Sequence, residues 1–236
     1  MKMKTTKGKL KKGKVSATLT VGTPSPPPAV PPTTPYSLFA SSIKRAKNLL
    51  EIHRLAHGAQ ARPPGFLADA HRAAVVLAVS ALDAFVRTFV IERIVWKIAN
   101  PLEKVPEKLC QQIKDCLDHD AILEAARQGD LSSRVEKALR DRFDDQSFQG
   151  VKKINEAMRL LGYQDVFATI AKSAAVNEGN LKSDLGRFTK RRHIIAHCGD
   201  YELSQSPPEE KKILKKDVLH CIRTVELIAK EINKLR

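Results

Sequence analysis

The 236-residue sequence has no run of apolar residues near membrane length, no Cys-x-x-Cys pair, no repeat at solenoid period and no acidic residue before Glu51. Its most apolar run, Ala73 to Val79, is interrupted at Ser80 and Asp83, short of the roughly 18 residues of a membrane span. No membrane partner is expected. The four cysteines, Cys110, Cys116, Cys198 and Cys221, form neither a metal-ligand spacing nor the dense framework of a small secreted domain. They read as reduced thiols in a cytoplasmic protein. The Lys-rich start is not followed by an apolar h-region, so it does not read as a signal peptide.

The missing early acid leaves seven lysines between Lys2 and Lys14 unbalanced, out of a net charge of +15. The remainder of the chain is still basic, so both parts should be drawn to polyanions, of which nucleic acid is the commonest. Residues 1–35 pass from lysine into Pro24, Pro26, Pro27, Pro28, Pro31, Pro32 and Pro35. Such a segment offers too little apolar surface to offset the entropy of ordering, and it reads as a disordered basic tail and non-specific polyanion tether. Gly8 with Gly13-Lys14 imitates a phosphate-binding loop, but Val15 stands where that motif needs Ser or Thr. The length beyond the tail suits one well-cored domain over residues 36–236.

Within that domain the apolar spacing is helical nearly throughout, with no convincing alternating strand. Phe39, Ile43, Ala46, Leu50 and His53 step by three and four, predicting an amphipathic helix that ends near Gly58. After Pro63-Pro64 a long helix is expected over about 66–98, apolar nearly all round between Ala73 and Ala84 and therefore central to the core. Shorter helices are predicted at 106–117, 119–128, 132–143, 150–161 and 164–174. A further helix should run from near Asn180 to Gly199, and a last one from Ser206-Pro207-Pro208 to the terminus. In the last helix Leu214, Val218, Cys221, Val225, Ile228, Ile232 and Leu235 alternate by four and three. This stripe is either a dimer seam or a face packed on the chain's own core.

The helix ending at Gly199 carries Arg192-His193-Ile194-Ile195-Ala196-His197. A permanent cation suits a phosphate and its transition-state charge, and a histidine can move protons near neutral pH. At 100° per residue His193 and His197 project about 40° apart, on one face. Arg192 starts from a neighbouring stripe, from which its long side chain could swing toward them. The competing reading makes Arg191 and Arg192 surface charges and His197 a C-terminal cap favoured by the helix dipole.

Ser80, Asp83 and Arg87 form a polar stripe inside the apolar helix, where buried polar groups need partners. Either Asp83 and Arg87 make an i, i+4 ion pair, or Asp83 orients Arg192 or His197 across a helix interface. His193 and His197 also have the spacing of a helical metal pair. Ile194, however, occupies the place of the glutamate in His-Glu-x-x-His, so no metal or other cofactor is expected. His53 and His57 share the same spacing and read as surface residues, while His71, His119 and His220 suggest no ligand set.

An all-helical chain with a late Arg-polar-x-x-x-His helix resembles the HEPN superfamily, in particular the RiboL-PSP-HEPN group. Ser80-Ala81-Leu82-Asp83 with Ala84-Phe85-Val86-Arg87 is similar to that group's early Ser-x-x-acidic element. Ser147-Phe148-Gln149, leading to Ile154 and Leu160-Leu161-Gly162, is similar to its Phe-rich element. The resemblance implies an all-α, antiparallel HEPN-like bundle with additional short helices. It also implies a homodimer whose paired motifs form one composite cleft, and a metal-independent endoribonuclease of toxin or anti-phage type with an antitoxin or defence-system partner. Gly199 stands where one toxin branch has the tyrosine of His-x-Tyr, so that branch's self-modification is not implied.

On this reading Arg192 and His197 are catalytic, and His193, Asp83 and Ser80 support them. Arg87, Arg191 and Lys190 contact RNA. Attack by the ribose 2′-OH would leave a 2′,3′-cyclic phosphate and a 5′-OH. Two alternatives stay open: a HEPN-like module that binds RNA or protein without cutting it, and a helical adaptor in which the motif is incidental.

Overall fold

A computed structural model describes residues 34–57, 66–100, 104–202, 206–207 and 209–235. Its spine is α2 (Phe66–Ala99), 34 residues long and so about 50 Å at 1.5 Å per residue. Ala78, Leu82, Phe85, Phe89 and Ile94 are at most 2 % exposed along it. The stripe is broad because five helices claim it: α1 (Pro35–His57), α5 (Leu131–Asp144), α6 (Val151–Leu160), α8 (Glu178–Cys198) and α9 (Lys215–Asn233) all pack on α2. Over its most apolar window α2 has a mean hydropathy of 2.0, so by length and composition it is apolar enough to cross a membrane, although no unbroken run reaches that length. Most of that window is buried against the other helices.

The first two helices run antiparallel, with Phe39 and Tyr36 at the start of α1 packed on Phe85 near the middle of α2, at centroid separations of 5.6 and 6.1 Å. The shorter helices α3 (Glu107–Cys116), α4 (His119–Gln128), α5, α6 and α7 (Val166–Ala174) follow, close to their predicted bounds. Capping sets several of these bounds. Asp118 accepts from Ala121 N at 2.7 Å to open α4, and Gly129, at φ 72°, closes it in the left-handed region that glycine adopts without penalty. Asp165 caps α7 and also accepts from Lys182 at 3.0 Å, tying α7 to α8.

Two boundaries differ from expectation. α8 begins at Glu178, because the Asn177 side chain accepts from Asn180 N at 2.9 Å and makes Asn177 the cap. α9 begins only at Lys215, and Tyr201–Glu202 (β1) pairs antiparallel with Glu209–Glu210 (β2). The backbone that would have extended α9 is used otherwise: Lys211 N donates to Asp200 O at 2.9 Å, and the Lys211 and Lys212 carbonyls accept from Arg191. The α9 stripe resolves against the dimer seam. Val218, Cys221, Val225, Ile228 and Ile232 are fully buried in the chain's own core, where burial pushes the Cys221 thiol up to about 12. The basic tail, the phosphate-loop imitation within it, and the side chains of His53 and His57 lie outside the described residues.

Candidate active site

Leu181, Leu185 and Phe188 are buried and seat α8 on the core, and its C-terminal turn carries the Arg–His motif to the surface. Gly199, at φ 58°, turns the chain out of the helix, and its N–H and that of Asp200 both reach the Ile194 carbonyl. His193 and His197 are exposed, and their rings lie 4.4 Å apart between centroids, tilted by 44°. The expected histidine pair is thus formed. Among the described residues, no group of three or more His, Cys, Asp or Glu side chains is placed to hold a metal ion.

Arg192 is half-buried and joins neither histidine. Its Cα lies about 140° round the helix from that of His197, and its Nε is buried with no hydrogen-bond partner. Among the described residues it makes no ion pair. The structure therefore brings the two imidazoles together but leaves the Arg192 guanidinium on another stripe of the helix, without an ion pair among the described residues. Lys190 is exposed and its side chain is unpaired among the described residues.

Arg191 does not fit the expected RNA contact. Its Nη2 donates to Asp200 Oδ2 at 2.5 Å and to the carbonyls of Lys211 and Lys212. Asp200 is fully buried and accepts a second bond, from Arg72 Nε at 2.9 Å. Arg72, only 7 % exposed in its side chain, also reaches Asp69, Glu210 and the Lys211 carbonyl. Burial works against the charge on Arg72, but the hydrogen bonds to Asp200 and Asp69 and the fields of Glu210 and Asp200 outweigh it and raise the pKa. This Arg72–Asp200–Arg191 clamp fastens the start of α2, the end of α8 and the β1–β2 hairpin to one another.

The polar stripe of α2 follows neither expected reading. Asp83 Oδ1 accepts from the backbone N–H of Phe148 at 2.5 Å, and pairs with neither Arg87 nor the motif. Arg87, expected to contact RNA, donates to the Gln146 carbonyl at 2.9 Å and reaches Asp144, with its guanidinium 6.0 Å from the Phe148 ring centroid. Thr189 of α8 donates to the Gln149 carbonyl at 3.0 Å. The 145–150 loop is therefore the meeting point of the Ser-x-x-Asp element, the Phe-rich element and the motif helix. Asp83 and Arg87 hold that loop from the α2 side. Ser80 is half-buried and its side chain makes no hydrogen bond among the described residues.

Sequence reasoning missed the Arg72–Asp200 pair and the contact of His220 Nε2 with Asp184 Oδ2 at 2.6 Å, beneath which the Phe188 ring lies 5.4 Å away. A lone arginine entering an apolar helix was the available signal for the first, since a buried cation requires a carboxylate somewhere. The second joins residues 36 apart in sequence and left no local mark.

The family model described as RiboL-PSP-HEPN matches residues 40–235. No curated protein and no solved structure matches the chain. The matched span takes in α1 and α9 as well as the motif-bearing middle.

Proposed function

The chain belongs to the RiboL-PSP-HEPN family, and on that premise we propose that it is an endoribonuclease that cleaves RNA through the ribose 2′-OH without a metal. One observation carries the reading most. Arg192, which makes no ion pair among the described residues, shares one helix end with two exposed imidazoles whose rings lie 4.4 Å apart. A phosphate would supply the anionic partner that the Arg192 guanidinium lacks within the chain.

In the proposed reaction His197 removes the 2′-OH proton, and the resulting oxyanion attacks phosphorus. The P–O5′ bond breaks, and an imidazolium returns a proton to the leaving 5′-oxygen. Arg192 neutralises the charge gathering on the equatorial oxygens, and His193 orients the phosphate or assists. DNA lacks the nucleophile and should not be cut.

Because Arg192 stands apart from His197 within one chain, two copies meeting at the motif would allow the arginine of one to serve the histidines of the other. Hence we infer a homodimer with a composite cleft, acting in a toxin or anti-phage setting with an antitoxin or defence partner. The same separation favours the second reading, a non-catalytic module that binds RNA or protein. Incubation of purified protein with mixed RNA in EDTA, beside His197→Ala, separates the two. The enzyme yields 2′,3′-cyclic phosphate and 5′-OH ends that vanish in the variant. Intact RNA with both proteins defeats the catalytic reading.

A further inference from the structure

Away from the motif, α1 and α9 enclose a cleft of about 530 Å³. Tyr36, Lys44 and Lys47 come from one stripe of α1, and Arg223, Glu226 and Lys230 from one stripe of α9. The cations outnumber the carboxylate four to one. Lys47 Nζ and Glu226 Oε1 are already paired at 2.5 Å, so the cleft keeps a net charge of about +3. The side chains of Lys44 and Arg223 are exposed and make no hydrogen bond or ion pair among the described residues. Lys230 is exposed too. Its field helps lower the pKa of Glu231, but that carboxylate is bonded to Lys234 and Ser173, leaving the Lys230 ammonium unbonded.

Like charges held close together repel, and such a cluster persists on a folded surface most readily where a polyanion meets it. The floor narrows the choice of polyanion. Phe39, Ile43 and Leu227 are apolar, and the half-exposed Tyr36 ring is braced by Phe39 and Phe85 at 5.9 and 6.1 Å. A braced aromatic beside apolar side chains gives a base a surface to stack on while cations take the phosphates on either side. This is the pairing of features found in grooves for single-stranded nucleic acid.

We propose that the α1–α9 cleft is a docking surface for single-stranded RNA, separate from the α8 motif, that holds a stretch of substrate remote from the cleaved bond. The identity of the polyanion rests on the RNA-directed reading above; the existence of the site rests on the charge and shape of the cleft.

The test uses the full chain and a variant carrying Lys44→Glu, Arg223→Glu and Lys230→Glu, with a matching triple alanine variant in case the reversals disturb folding. Both keep the lysine tail, so any difference isolates the cleft. Binding of a fluorescent 2′-O-methyl oligouridylate, which cannot be cleaved by 2′-OH attack, is followed from 50 to 300 mM salt. Three lost phosphate contacts at roughly 0.7 each should flatten the plot of log K against log salt by about 2, and weaken binding at least about tenfold at the lowest salt. An unchanged slope and affinity in both variants would overturn the proposal. So would a loss of polyglutamate binding in the triple variants as large as their loss of oligouridylate binding, at equal charge concentration, which would point to an acidic protein. If neither protein cuts RNA yet the slope still falls, the cleft stands and the catalytic reading alone is lost.

Discussion

Arg191 donates to the buried carboxylate of Asp200 at 2.5 Å, while Arg192, its neighbour in the chain, makes no ion pair among the described residues. One step of 100° around α8 separates a structural arginine from an available one. Replacing each should therefore have opposite consequences. Arg192→Lys should cut turnover severely and leave the melting temperature almost unchanged, because an ammonium cannot bridge two phosphate oxygens as the planar fork does. Arg191→Lys should lower the melting temperature with a smaller effect on RNA affinity. Equal losses of affinity in the two variants would return Arg191 to the RNA-binding set.

Asp200→Asn should be among the most damaging single changes. It leaves Arg72 and Arg191 with cations packed against a neutral amide, and breaking a buried pair costs about 3–5 kcal/mol. Urea denaturation should report a loss of at least about 3 kcal/mol. Hydrogen exchange should quicken at the end of α8 and in the β1–β2 hairpin. A loss under 1 kcal/mol would show that the clamp is dispensable.

For Asp83 the decisive comparison is Ala against Asn. Asp83→Ala removes the acceptor for Phe148 N–H, with an expected cost of about 1–3 kcal/mol, and loosens the loop that Thr189 grips. Asp83→Asn keeps a carbonyl oxygen in place and should restore much of both stability and turnover. Failure of the asparagine variant to improve on alanine would show that the negative charge is what matters at this position.

His197→Ala, at an exposed position, should abolish cleavage while shifting the melting temperature by no more than a few degrees. Mixing inactive Arg192→Ala with inactive His197→Ala should regain part of the activity if the cleft is shared between two copies. Light scattering should give twice the monomer mass at tens of micromolar. A monomer at that concentration sinks the composite site.

Acid stability should follow the carboxylates held below their ordinary range. Glu231 is held low by its bonds to Lys234 and Ser173, and Asp165 by Lys182 and two backbone N–H groups, against a burial effect that pushes the other way. A depressed folded pKa contributes stability that is complete above the unfolded value, near 4, and is lost as pH falls through the folded value. The stability contributed by these two carboxylates should therefore be complete at pH 5 to 7 and be lost below about 4. Glu231→Gln should cost about 1 kcal/mol at pH 7 and make the acid limb shallower. An acid limb of unchanged steepness would remove Glu231 from this account.

The helices were legible in the sequence because each depends on neighbours a few residues away. The apolar period of Phe39, Ile43, Ala46 and Leu50, the cap at Asp118 and the left-handed stop at Gly129 are local facts, as is the 40° offset that sets His193 beside His197. The breadth of the apolar stripe on α2 likewise announced a central helix. Which polar group meets which was not local. Asp83 reaches Phe148 across 65 residues and Arg72 reaches Asp200 across 128, and a buried charge takes whichever partner the packing of helices brings within hydrogen-bond reach. For that reason Arg87 and Arg191, which the family resemblance assigned to RNA, are held by carbonyls and carboxylates of other parts of the chain. For the same reason the α9 stripe faces the chain's own core. Sequence determined which side chains share a helix face, through the fixed rotation per residue; only the packing of α1, α2, α8 and α9 decided which of their charges are neutralised internally and which remain available to a ligand.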